Sequence, residues 1–371
     1  MGKKIGIMTF WTSKDNYGQI LQAYALQTVL RKMGHEPFLI RYDFRHDPTF
    51  ASTIKEKAIH LLKDPAILCR FILSKFRRRE EAVAEVHDRK FDEFIRDHMA
   101  VSEKIYTDYR ELKVNPPEAD VYICGSDVVW YPRRMSEPYF LNFNTDARRI
   151  AYAPSFGTAD VPVWFRKMAK PWLEKFHAVS TREQSGADVC NEILGSDKCV
   201  CNLDPTLLLQ ADDYRKLFAS ERSTEKYCLA YFLGTETDVD YDAIKDFAKS
   251  RHLPLRLITV QGNKVEGNYF PTITEWLESF CNAEYIFTNS FHGCAFSLIF
   301  HKRFLYFPIV GSLSSLNNRV ESLLDKLNVG NKIIYRGNIN VIYDDVMPVD
   351  KTTMQLEKFM RMSYTWLEDN I

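Results

Sequence analysis

The chain has 371 residues, enough for two domains of ordinary size, and its 46% hydrophobic and 26% charged content is that of a soluble globular protein. Its basic and acidic residues number 49 each, and a formal charge of zero argues against nucleic acid as the main partner. The eight cysteines are scattered, mostly in apolar runs, with no CxxC pair, which fits reduced thiols in a cytoplasmic protein rather than disulfides or a zinc site.

The start, MGKKIGIMTF, passes straight into a strand pattern without a signal-peptide cleavage site, and no stretch reaches the roughly 18 uncharged residues of a membrane span. Residues 5–10 form that strand, 12–18 a polar loop, 19–33 a helix with Ile20, Leu21, Tyr24, Leu26 and Leu30 at helical spacing, and 36–42 a second strand. This βαβ opening predicts a parallel sheet. Its first turn lacks GxGxxG and the chain has no P-loop, so nicotinamide and simple NTPase readings lose support.

Residues 52–100 then interrupt the alternation as a helical insertion carrying Lys75, Arg77, Arg78 and Arg79 beside Glu80, Glu81 and Glu85. That segment reads either as a solvated helical face or as a basic surface leaning on anionic lipid at the inner membrane. The rhythm resumes at 120–130 and 149–157, two apolar strands ending in small polar residues and glycine, the ends at which open parallel sheets gather ligands. A helix at 163–176 follows, then strands at 178–181, 198–202, 227–233, 255–260, 284–288 and 303–307 alternating with helices at 184–194, 238–250, 273–282 and 291–300. The pattern predicts an α/β fold of two doubly wound, Rossmann-like domains. Their expected extents are 1–177 and 178–345, with 346–371 forming a C-terminal helix that packs back across both.

The segment TNSFHG at 288–293 stands where a short strand gives way to an apolar helix. The first turn of a helix exposes unpaired N–H groups and the positive end of its dipole, an anion site on which His292 would act. Ser126 is not in a GxSxG elbow and no ordered triad is evident, which disfavours a serine hydrolase.

Six segments in order, NYGQILQAYAL (16–26), GSDVVW (125–130), SFG (155–157), TREQSG (181–186), LDPT (203–206) and TNSFHG (288–293), resemble the elements of the polysaccharide pyruvyl transferase family. The sequence departs from the family in having Asn289 where Asp is frequent. The resemblance implies a GT-B-type architecture, with the acceptor sugar on the N-terminal domain and phosphoenolpyruvate on the C-terminal one. It also implies transfer of pyruvate from phosphoenolpyruvate onto two sugar hydroxyls as a cyclic ketal, with release of phosphate, in the biosynthesis of a surface polysaccharide such as a capsule or exopolysaccharide. The acceptor would be a glycan or its lipid-linked precursor. Neither cofactor nor metal is expected, phosphoenolpyruvate being the donor substrate.

Arg182 and Arg319 are the guanidinium candidates for its carboxylate and phosphate, with Ser290 and the N–H groups near Gly293 completing the cradle. His292 is the candidate proton donor to the methylene carbon, since a neighbouring phosphate dianion favours the protonated ring, and Asp127 the candidate acceptor of hydroxyl protons. Asp127 has an alternative role in bonding backbone N–H groups of its turn. Asn16, Tyr17, Ser126 and Trp130 are the candidates for holding the acceptor, the aromatics by stacking. A nucleotide-sugar glycosyltransferase and a noncatalytic binding protein of the same fold remain alternatives.

Overall fold

The computed structural model describes residues 2–48, 88–132, 137–218, 225–234, 239–260, 268–330, 334, 337, 339 and 349–371. The basic cluster Arg77, Arg78 and Arg79 lies outside the described residues.

The strands are short and most are apolar, as expected of sheets covered on both faces, the edge strand Val101–Tyr106 with exposed Glu103, Lys104 and Ile105 being an exception, and every pairing between named strands is parallel. The first sheet comprises β1 (Lys4–Met8), β2 (Glu36–Tyr42), β3 (Val101–Tyr106), β4 (Val121–Cys124), β5 (Arg148–Ala151), β6 (Ala178–Thr181) and β7 (Val200–Cys201), in the order β3-β2-β1-β4-β5-β6-β7. The second comprises β8 (Cys228–Leu233), β9 (Leu255–Val260), β10 (Tyr285–Thr288) and β11 (Arg303–Tyr306), in the order β11-β10-β8-β9. Strand order reverses beside β1 in one sheet and beside β8 in the other, so each has a switch point where a crevice opens at the carboxyl ends. Two such units make the GT-B-type architecture.

The helices are α1 (Tyr17–Lys32), α2 (Phe91–His98), α3 (Tyr109–Val114), α4 (Val163–Leu173), α5 (Gln184–Leu194), α6 (Ala211–Arg215), α7 (Tyr241–Ser250), α8 (Ile273–Asn282), α9 (Phe291–Ile299), α10 (Asn317–Lys326) and α11 (Val349–Asn370). Among the described residues none is long and apolar enough to cross a membrane. Helix α1 begins two residues earlier than its apolar spacing predicts because the Asn16 side chain accepts the Gln19 N–H as an N-cap. It ends at Lys32 with Met33 as its C-cap, and the chain then turns away at Gly34, whose φ of 85° suits a residue without a Cβ.

A change of domain near residue 178 does not coincide with the change of sheet. β6 pairs with β5 through Ile150 and Ala178, and β7 extends the same sheet through Ser180 and Val200. The switch between sheets falls between Cys201 and Cys228. Both halves read as βα repeats, so hydrophobic pattern alone carries no mark of which sheet a strand joins.

The two units share one hydrophobic core running from Ile7 and Leu26 to Ile286 and Phe296. Tyr17 stacks on Trp276 at 5.2 Å and 11°, and its hydroxyl donates to Pro271 O at 2.6 Å. Arg89 lies over the rings of Tyr17 and Phe270 and donates to Thr259 O, joining the chain after residue 88 to both units. Helix α11 touches both as well, through the ring of Trp366 near Tyr152 and the hydroxyl of Thr353 near His301.

Candidate active site

The carboxyl ends of the strands deliver the polar residues of the site. β4 leads into Ser126 and Asp127, β6 into Arg182 and Glu183, β7 into Asp204, and β10 into Ser290 and His292. Register sets the strand ends side by side, Met8 against Cys124 in the first sheet and Tyr231 against Thr288 in the second. Loops leaving neighbouring ends therefore converge.

Asp204 is the centre of the cluster. Its Oδ2 accepts hydrogen bonds from Ser126 Oγ at 2.7 Å and Arg182 Nη1 at 3.0 Å, and its Oδ1 accepts from the N–H and hydroxyl of Thr206 at 3.0 and 2.7 Å. The Arg182 and Asp204 side chains are 1% and 0% exposed, so their ion pair is fully desolvated. Burial by itself raises the Asp204 carboxyl, but His292, Arg182 and the Thr206 N–H outweigh it and hold the group well below the usual carboxylate range. His292 Nε2 stands 3.8 Å from Asp204 Oδ2, too far for a hydrogen bond.

Arg182 places its guanidinium 4.6 Å above the ring of Phe291. It spends one N–H on Asp204, while its buried Nε and Nη2 have no acceptor, and the buried Nε2 of His292 has no hydrogen-bond partner either. Arg319, on the first turn of α10, is half-buried, and its Nε donates to Leu316 O at 3.2 Å. Burial, and then the like charge of Arg182, pull its guanidinium down to about 10. Glu183 is buried, with Oε1 accepting from Ser155 Oγ and Phe156 N–H at 2.8 and 3.1 Å and Oε2 unpartnered. Burial pushes its carboxyl up against the opposing charge of Arg182.

The structure thus brings together His292, Arg182 and Arg319, but from different units than expected. Arg182 follows a strand of the first sheet, not of the second. Its carboxylate partner is Asp204 rather than the adjacent Glu183. Ser290 caps α9 by accepting the Gly293 N–H at 3.3 Å, so that N–H is taken up by the cap. Gly293 itself is required by packing, since a Cβ there would lie 2.2 Å from Thr288 Oγ1. Asn289 does not cap the helix. Its side chain accepts from Leu233 N–H at 2.7 Å and donates to Leu233 O at 2.9 Å, a pair of hydrogen bonds to the end of β8 of which an aspartate would make only one.

Asp127 fixes its own turn. It sits at φ 79°, accepts the Val128 N–H at 2.7 Å through Oδ1, and meets Gln19 Nε2 through Oδ2 only at 3.5 Å. Three of the acceptor candidates are corrected by burial. Trp130 is 0% exposed, stacked on Phe140 at 4.6 Å and 3°, with Nε1 donating to Tyr139 O. Tyr17 is likewise 0% exposed, and its ring and hydroxyl join the two units. Ser126 gives its hydroxyl to Asp204. Asn16 is half-buried and its side chain is engaged as the cap of α1. Asp204 is the residue that sequence reasoning missed. It stands inside a segment singled out above, but an Asp-Pro pair reads as a turn.

A family model for polysaccharide pyruvyl transferases matches residues 16–309. The curated proteins contain no match to this sequence. Among solved structures the chain is similar to Anabaena HepE in complex with UDP and glucose, at 8% identity over 98% of this chain and 95% of that one, with a TM-score of 0.49. It is also similar to the S. aureus MnaA–UDP co-structure, at 11% identity over 98% and 90% with a TM-score of 0.47, and to Acinetobacter baumannii MurG, at 10% identity over 99% and 98% with a TM-score of 0.43. The family match spans well over half the chain and takes in the Arg182–Asp204–His292 cluster with all six sequence segments. The chain belongs to the polysaccharide pyruvyl transferase family.

Proposed function

We propose that this protein transfers pyruvate from phosphoenolpyruvate to two hydroxyls of a glycan, forming a cyclic ketal and releasing phosphate. The observation that carries the reading is Arg182. It is a buried guanidinium with two nitrogens lacking acceptors, set beside the unpartnered Nε2 of His292. Phosphoenolpyruvate carries a carboxylate and a phosphate, and planar guanidinium groups such as those of Arg182 and Arg319 bind either oxyanion in a bidentate manner.

In the reaction His292 gives a proton to the methylene carbon, which leaves the central carbon electron-poor and open to attack by a sugar hydroxyl. A second hydroxyl then displaces phosphate at the same carbon. The two hydroxyls lose two protons, of which one replaces the proton that His292 gave and one leaves with phosphate. Asp127 Oδ2, whose contact with Gln19 is long at 3.5 Å, is the acceptor for the hydroxyl proton on its way out. Cations held by the protein offset the phosphate charge.

The test is phosphate release from phosphoenolpyruvate, measured across a panel of free and lipid-linked glycans, with the pyruvyl ketal identified by mass spectrometry. Sugar-dependent phosphate release with a matching ketal supports the reading. Sugar transfer from UDP or GDP sugars, without consumption of phosphoenolpyruvate, overturns it.

A further inference from the structure

Gly18 is the second residue of α1, in the first unit, and its conformation is helical, so no backbone requirement calls for glycine there. Contact does. A Cβ at this position would lie 1.9 Å from Nδ1, 2.2 Å from Cγ and 2.6 Å from Cε1 of His292, which belongs to α9 in the second unit. The imidazole therefore rests directly on the backbone of α1.

The ring has little room to move away. His292 is 7% exposed, the ring of Phe291 meets it edge-on at 5.2 Å, and Asp204 stands 3.8 Å from Nε2. Asp204 is itself fixed by Ser126, Arg182 and Thr206. Nor can α9 retreat, because its first turn presses Gly293 onto Thr288 and is capped by Ser290. The main chain of His292 thus belongs to one unit, while Gly18 and Asp204, which bracket its ring, belong to the carboxyl edge of the other.

We infer that Gly18 is a positioning residue, whose missing side chain lets α1 seat the His292 ring beside Asp204 and Arg182 in the geometry that proton transfer needs. The inference rests on the proposed pyruvyl transfer for its catalytic meaning, but the contact itself does not. Within a helix, Gly→Ala is ordinarily stabilising, because alanine has the better helix propensity. The contact with His292 reverses the expected sign, and that makes a double-mutant cycle decisive.

The experiment compares wild type with Gly18→Ala, His292→Ala and the double variant by thermal denaturation, by phosphate release from phosphoenolpyruvate, and by the NMR titration of His292 in the two chains that retain it. Gly18→Ala is expected to lower the melting temperature by several degrees in the wild-type background and to raise it or leave it unchanged in the His292→Ala background. It is also expected to lower kcat at least 30-fold with KM for phosphoenolpyruvate changed less than threefold, and to shift both the His292 titration and the pH profile of kcat. Failure of Gly18→Ala to fold, with rescue by His292→Ala, supports the contact. Equal destabilisation in both backgrounds, or a wild-type kcat in Gly18→Ala, overturns the inference. The denaturation and NMR readouts need no substrate, so failure of the pyruvyl-transfer reading is told apart from failure of the contact.

Discussion

The outer edge of the first sheet and the carboxyl ends of its inner strands present opposite kinds of surface. Along the edge strand β3, reaching to the amino ends of β1 and β2, lies an open groove of about 790 Å³, lined by Lys4, Arg31, His35, Ser102, Glu103 and Lys104 among others. At the carboxyl ends lies the compact cluster around Asp204. The groove is roomy, but its polar groups have partners or face water: Lys104 pairs with Glu111 and Arg31 Nη2 donates to Gln27 Oε1. The cluster instead keeps Arg182 Nε and Nη2, His292 Nε2 and Glu183 Oε2 buried and unpartnered. A buried polar group without a partner costs about 1–3 kcal/mol. Among the described residues other such atoms stand elsewhere, Gln22 Oε1 and Trp276 Nε1 among them, but four gather in this one cluster, and that concentration marks the site better than volume does.

The largest effect expected from this contrast is on stability. Asp204→Asn removes the carboxylate bonded to Arg182 and strands a buried guanidinium, which should cost about 3–5 kcal/mol in urea denaturation at pH 7. Because the folded carboxyl is held below its ordinary value, its contribution is present above that value and is lost as pH falls through the folded one. The gap between wild type and variant should therefore hold steady from pH 8 to 5 and narrow below about pH 4. A variant as stable as wild type at pH 7 would remove Asp204 from the centre of the cluster.

Next in size is an effect on turnover without one on the fold. His292→Asn keeps a polar side chain of similar reach but no transferable proton. It should lose about 100-fold or more in phosphate release, the usual scale for general acid catalysis, with an unchanged far-UV spectrum. Near wild-type turnover would return His292 to a packing role.

Much of this arrangement was legible in the sequence and some of it was not, for identifiable reasons. The period-2 and period-3.6 patterns are local and fix element type, whereas Asn16, expected to hold the acceptor, caps a helix. Sheet membership is not local, so β6 and β7 were expected in the wrong unit. Trp130 and Tyr17 illustrate a further limit. A lone aromatic near a glycine-rich turn looks the same in sequence whether it faces a sugar or, as here, packs on Phe140 or Trp276. The pairing of Arg182 with Asp204 spans two strand ends and 22 positions, and no spacing rule reaches that far.

A finer test of the same contrast lies within the cluster, between its two buried carboxyls. Asp204 is surrounded by donors and held low, whereas Glu183 has one oxygen bonded and one bare, and burial pushes it up. A raised carboxyl stabilises the fold below its ordinary value and loses that contribution as pH rises through the folded one. Glu183→Gln keeps an acceptor for Ser155 and Phe156 but cannot ionise. Its effect should be about 1 kcal/mol, the scale of one imperfect buried hydrogen bond. Relative to wild type the variant should gain stability from pH 4 to pH 8, the reverse of the trend for Asp204→Asn. Parallel pH trends for the two variants would mean that the carboxyls share one environment.

The smallest effect is expected in the groove. The Lys104 and Glu111 side chains are 51% and 44% exposed, and an ion pair so open to solvent contributes between zero and about 1 kcal/mol. Lys104→Ala should therefore change stability by no more than about 0.5 kcal/mol, the range of ordinary surface substitutions. Phosphate release should be untouched, because Lys104 lies on the edge strand β3, whereas the loops that carry Arg182, Asp204 and His292 leave β6, β7 and β10. A loss of turnover in Lys104→Ala matching that of His292→Asn, with the fold intact, would move the chemistry to the outer edge of the sheet and make cavity volume the better guide.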